Sequence, residues 1–184
     1  MSVTSVRKDP EQLTMTVTAE YDVPAERAWQ LWNDPRQLER WWGPPTYPAT
    51  VIDHDLVPGG KVTYFMTGPE GDRPRGWWRV LEAEPPRLLV LEDGFADEAG
   101  ANLDAMPTVL MRMELTDRAA GGVTMTIRTT FPSLDAMEQL IGMGMEEGLQ
   151  LAMGQIDGVL ADYPVAGRAA RNPASSSVAA TRPS

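Results

Sequence analysis

Residues 133–163 read SLDAMEQLIGMGMEEGLQLAMGQIDGVLADY, and the arrangement of the whole chain turns on this stretch. Met137, Leu140, Ile141, Met145, Leu149, Ala152, Ile156, Val159 and Leu160 recur at steps of three and four, the spacing that gathers side chains on one helical face. The spacing predicts one long helix from Ser133 to Tyr163 whose apolar face needs a cover. Ser133 suits the N-cap, where its hydroxyl accepts from a free backbone N–H, and Asp135 places negative charge at the positive end of the helix dipole. Gly142, Gly144, Gly148 and Gly154 lie inside the stretch, and glycine costs about 1 kcal/mol against alanine in a helix interior. Two readings account for them: close packing on a curved sheet, or room for a ligand between helix and sheet. In the second, the flexible Met143, Met145 and Met153 shape the walls.

A chain of 184 residues has room for one domain of roughly 150 to 160 residues with tails, large enough to bury a core and still leave a cavity. It contains no cysteine, which excludes disulfides, thiolate metal sites and a cysteine nucleophile. The N-terminus lacks a long apolar segment, and no run of about 18 apolar residues exists to span a bilayer, so a soluble, cytoplasmic protein is expected. Net charge is −10 with the arginines scattered, a field that repels phosphate backbones and anionic lipids. Neither nucleic-acid binding nor membrane insertion is expected.

Around the long helix the chain reads as strands. Residues 1–12 show no periodicity and are expected to form a flexible lead-in to a domain spanning 13–163. Leu13, Met15, Val17, Ala19 and Tyr21 alternate with polar residues, as in a strand with one buried face. Pro24 to Asp34 and the stretch from Pro35 through Trp41 and Trp42 form two short helices, ended by Gly43, Pro44 and Pro45. Strands follow at Tyr47 to Leu56, Lys61 to Thr67, Trp77 to Glu84, Arg87 to Glu92, Thr108 to Arg118 and Val123 to Phe131. Asp93 to Pro107 reads as an acidic, irregular loop, either plain surface or a cover over a cavity mouth. The tail at 164–184 is Pro, Ala and Ser rich and is expected to be disordered. The sum is an α+β layout of helix-grip type: a curved seven-stranded antiparallel sheet around a long C-terminal helix, with two short helices after the first strand.

Several stretches carry a family likeness: VPAERAW at Val23 to Trp29, WWGP at Trp41 to Pro44, DLVPGGK at Asp55 to Lys61, and Gly76 opening a strand that ends in Pro85, Pro86, Arg87 and Leu88. As a set in this order they resemble the START-like superfamily (SRPBCC, Bet v 1-like), and within it bacterial proteins similar to the C-terminal domain of the activator of Hsp90 ATPase. The likeness covers residues 13–162. It implies a ligand cavity in some relatives, cyclase or hydrolase activity in others, and a chaperone partner in the namesake. Members often carry a Trp just after the glycine of the C-terminal helix, whereas here Leu149 follows Gly148. That replacement keeps the face apolar and enlarges or reshapes the pocket beneath it.

The residues and the resemblance together leave three functions open. The first is binding of a small hydrophobic or amphipathic molecule, lipid or polyketide-like, lined by Trp32, Trp41, Trp42, Tyr64, Met66, Trp78, Met145 and Leu149. The resemblance implies a second, a cyclase- or hydrolase-like enzyme in the same cavity, and a third, a partner of an Hsp90-type chaperone, although no companion domain is expected with fewer than 15 residues before the first expected strand. No cofactor or metal is implied, and either a monomer or a homodimer is compatible with the composition. His54, flanked by Asp53 and Asp55 on the opposite face of a strand, reads as a solvent-facing structural residue or as the lone candidate base. Glu146 and Glu147 read as two solvated acids, or as one solvated acid and one reaching a pocket end with its pKa raised by desolvation. Arg112 and Arg128 lie on the open face of the sheet, or one turns inward to fix an acidic ligand group.

Overall fold

The computed structural model describes residues 3–163. Its elements run β1 (Val3–Asp9), β2 (Thr14–Tyr21), α1 (Ala25–Asn33), α2 (Pro35–Trp41), β3 (Ala49–His54), β4 (Lys61–Met66), β5 (Arg75–Glu84), β6 (Leu88–Ala96), β7 (Val109–Asp117), β8 (Val123–Thr130), α3 (Leu134–Gly142), α4 (Met145–Met153) and α5 (Ile156–Asp162). The strands form one eight-stranded sheet in the order β1-β2-β8-β7-β6-β5-β4-β3, antiparallel throughout and open at β1 and β3. The expected α+β class holds, with eight strands in place of seven.

The additional strand is the N-terminal segment expected to be a flexible lead-in. It pairs with β2 from Val3↔Ala19 to Asp9↔Thr14, with a register shift between Val3 and Ser5. Only Val3 and Val6 pack on the main core, so backbone hydrogen bonds hold this edge strand and no alternating apolar face marks it in the sequence. β6 likewise runs four residues past its expected end, pairing Asp93 with Trp78 and Ala96 with Arg75. Asp93-Gly94 resembles a turn in sequence, but Gly94 is a strand residue covered by an indole ring: a Cβ there would stand 2.3 Å from Cζ2 of Trp77. The expected tail, 164–184, lies outside the described residues.

The long helix starts as expected, with the Ser133 hydroxyl accepting from the Ala136 N–H at 3.1 Å, but it is not continuous. Gly144 adopts φ 95°, a left-handed conformation that side-chain-bearing residues rarely take, and the axis breaks between α3 and α4. A second, gentler interruption at Gly154 and Gln155 keeps right-handed helical dihedrals.

Two apolar clusters result. The larger joins the inner faces of the strands to α1, α2 and α5 and includes Trp32, Trp41 and Trp78, each completely buried. An indole buries roughly 200 Å², which at about 25 cal/mol per Å² is worth up to about 5 kcal/mol of transfer free energy. The smaller joins Met15, Val109 and Phe131 to Met137 and Leu140 of α3. Leu149 of α4 packs against both, at the seam between them.

Candidate functional site

Strand alternation turns Tyr64 and Met66 of β4, Asp93 and Phe95 of β6, and Met111 of β7 toward the helices. The α3–α4 break lies opposite them, and its short side chains fail to fill the space. A cavity of about 280 Å³ remains, bounded on the helix side by Leu140, Met143, Gly144, Met145, Gly148 and Leu149. A Cβ on Gly142 or Gly148 would meet nothing within 4 Å, so close packing does not explain these two glycines. Gly148 leaves open space on the cavity wall.

The wall is apolar apart from Tyr64, Arg75, Asp93 and Thr129. The Arg75 guanidinium lies over the Phe65 ring, 5.7 Å from its centroid, and makes no ion pair with Asp93. Asp93 sits deep between strands, yet its carboxyl keeps partial exposure because it faces the cavity. Burial pushes that carboxyl up to about 7, against the opposing effect of the Tyr64 hydroxyl, which donates to Oδ1 at 3.4 Å. The Tyr64 hydroxyl is held well above its ordinary range, first by burial and then by the Asp93 charge. The indole N–H groups of Trp42 and Trp78 lie close enough to the Tyr64 oxygen to oppose that rise, but neither reaches good hydrogen-bond geometry and both are otherwise unpartnered. Asp93 is therefore the exposed end of a polar chain running back into the aromatic core.

Of the eight residues expected to line a pocket, Trp42, Tyr64, Met66, Met145 and Leu149 border this cavity. Trp32, Trp41 and Trp78 do not. They stack edge-on and tilted behind Trp42 and Tyr64, with centroids 4.8 Å apart for Trp32–Trp41 and for Trp42–Trp78, and form the floor that holds those two in place. Asp93 was hidden in the sequence by its turn-like neighbourhood, and its role depends on β5 and β7 flanking it.

The other candidate polar residues lie elsewhere. His54 is half-buried rather than solvent-facing: Nε2 lies 2.9 Å from the Trp32 carbonyl oxygen, so this nitrogen carries the proton and ties β3 to α1. Glu146 pairs with Lys8 of β1 and does not border the cavity. Arg112 pairs with Glu114 at 2.6 Å, and Arg128 is exposed on the outer face. A wider groove of about 870 Å³ on that outer side is walled by Lys61, Thr63, Arg79 and Glu92 and the loop from 100 to 108. Its polar walls are those of the solvated sheet face.

A family model described as Activator of Hsp90 ATPase homolog 1-like protein matches residues 22–161. The chain belongs to this family. The motif resemblance is thus borne out over nearly the whole domain. A crystal structure of a Mycobacterium smegmatis protein is similar at 45% identity and TM-score 0.80, covering 86% of this chain and 96% of that one. A solution structure of an Arthrobacter aurescens protein is similar at 46% identity and TM-score 0.83, covering 88% and 94%. A Staphylococcus epidermidis protein shares the fold at 23% identity and TM-score 0.75, covering 86% and 94%. Comparison with curated proteins gave no match. Within the activator-like family, then, this chain combines the shared fold with a Leu at the seam position and a lone carboxyl in the cavity. No helix among the described residues is long and apolar enough to cross a membrane.

Proposed function

We propose that the protein binds a small apolar or amphipathic molecule in the cavity between the α3–α4 turn and the inner face of the sheet. The observation that carries this reading is the cavity itself: about 280 Å³, almost wholly apolar, with one carboxyl at its polar end. Small-molecule sites have this character, typically over ~300–1,000 Å³, so the occupant is compact.

Leu149 offers the test, since it stands at the seam of the two clusters and borders the cavity. Leu149→Trp inserts an indole into that space. The variant should melt no lower than the parent, because a void is being filled, while affinity for any ligand found by thermal shift in a lipid and polyketide-like library falls about 10-fold or more. A library without a single stabilising member, or a Trp variant that binds as tightly as its parent, would remove the proposal.

A second reading, an enzyme using the same cavity, is favoured by Asp93. A carboxyl poised at about 7 takes or gives a proton readily near neutral pH. Turnover of a bound ligand that Asp93→Asn abolishes while binding persists would bring this reading forward. The family description supports a third, a chaperone partner, which stimulation of the host Hsp90 homologue's ATP turnover would advance.

A further inference from the structure

The polar end of the cavity is specific about what it can satisfy. Asp93 has one protein partner, the Tyr64 hydroxyl, which occupies Oδ1 and leaves Oδ2 to whatever fills the cavity. No lysine or arginine among the described residues forms an ion pair with it. The remaining wall is apolar apart from the Thr129 hydroxyl and Arg75, whose guanidinium lies over the Phe65 ring. An ammonium group brought here would have three N–H donors to satisfy and a hydration shell to give up, against a single carboxylate. An acceptor oxygen needs only one or two donors. A ligand that displaces water from Asp93 also deepens the desolvation that already disfavours its charge, and so favours the protonated carboxyl, which donates.

We infer that the cavity selects an uncharged, largely apolar molecule carrying a hydrogen-bond-accepting oxygen, such as a ketone or ester carbonyl, gripped by the neutral Asp93 carboxyl through Oδ2. This rests on the cavity being a binding site, and the test separates the two claims. A buried neutral carboxylic acid is a physically sound way to hold a carbonyl oxygen, since it donates without a charge being buried, while the Tyr64 hydroxyl, donating to Oδ1, orients the carboxyl.

Three probes with one apolar body decide the matter: acetylnaphthalene, ethylnaphthalene and a naphthyl-ethylamine, each substituted at the same ring carbon and titrated calorimetrically into the full chain. At about pH 6 the ketone should bind about 10-fold more tightly than the hydrocarbon. Asp93→Leu should erase that advantage, while Asp93→Asn, whose amide still donates, should keep it within about 3-fold. Melting curves for both variants establish that they are folded. On raising the pH to about 8.5 the ketone's advantage should shrink several-fold as the free carboxyl ionises, and Asp93→Asn should show no such change. Asp93, Tyr64 and Arg75 are the titratable side chains bordering the cavity, so the Asn variant assigns the effect. Equal binding of ketone and hydrocarbon would overturn the inference and leave the cavity reading standing. Tightest binding of the amine would overturn it in favour of a cationic ligand. Failure of all three probes, the plain hydrocarbon included, would remove the cavity reading and this inference together.

Discussion

Asp93→Asn should make the protein more stable at pH 8 by about 2 kcal/mol relative to its effect at pH 5. The carboxyl titrates at about 7 in the folded protein against 3.8 for a freely solvated aspartate. Because the folded value is the higher one, Asp93 is most compatible with the fold below pH 4. Stability is then lost progressively as pH rises through about 7, and the loss is complete above it. From pH 5 to the folded value is about two pH units, or about 3 kcal/mol at 1.36 kcal/mol per unit; water in the cavity reduces this to about 2 kcal/mol. Asparagine carries no charge to desolvate, and its side-chain oxygen can still accept from Tyr64. Urea denaturation of both proteins at the two pH values measures the difference, which in a chain of this size corresponds to about 4–8 °C in melting temperature. Parallel stability curves for variant and parent would show that Asp93 is solvated in the folded state.

The largest loss of stability is expected at Arg27, far from the cavity. This arginine is only 6% exposed, and each of its three nitrogens donates: Nε to the Tyr163 carbonyl at 2.7 Å, Nη1 to Gln37 Oε1 at 2.8 Å and Nη2 to the Val159 carbonyl at 3.3 Å. Tyr163 caps α5, and its carbonyl has no partner within the helix, whereas the Val159 carbonyl also accepts from the Tyr163 N–H at 3.0 Å. Gln37 in turn donates to Asp34 Oδ2 at 3.1 Å, and Asp34 caps α2 through the Arg36 N–H. One guanidinium thus joins α1, α2 and the end of α5. Arg27→Met keeps the apolar stem but leaves the Tyr163 carbonyl and the buried Gln37 amide oxygen without donors, and should cost about 3 kcal/mol. Adding Gln37→Leu should recover part of that loss, because it removes one of the stranded acceptors. Amide hydrogen exchange should place the loosening first in α5, ahead of the sheet. Unchanged protection there would rule out the clamp.

Much of this architecture is legible in the residues alone. The alternation from Leu13 to Tyr21, the paired helices before Gly43 and the Ser133 cap are local patterns, and each appears where the sequence predicts it. β1 was not legible, because an edge strand with a register shift needs no regular apolar face. The continuation of β6 was masked by an Asp-Gly pair that local rules read as a turn. The tryptophans are legible in the sequence as candidate pocket lining, but composition cannot divide them between floor and wall. Trp42 borders the cavity and Trp41, its neighbour in sequence, is completely buried and donates Nε1 to the Leu31 carbonyl at 2.9 Å.

The C-terminal stretch shows most clearly where the boundary falls. Its period of three and four was enough to establish helical structure with an inward face, because that follows from side-chain direction along one segment, while its glycines left close packing and room for a ligand as alternatives. That Gly144 breaks the axis while Gly148 opens onto the cavity depends on dihedrals and neighbours set by the sheet. The same holds for Asp93: its chemistry is that of any aspartate until strand pairing carries it away from bulk water and against Tyr64. Periodicity belongs to the chain, whereas desolvation belongs to the packed structure.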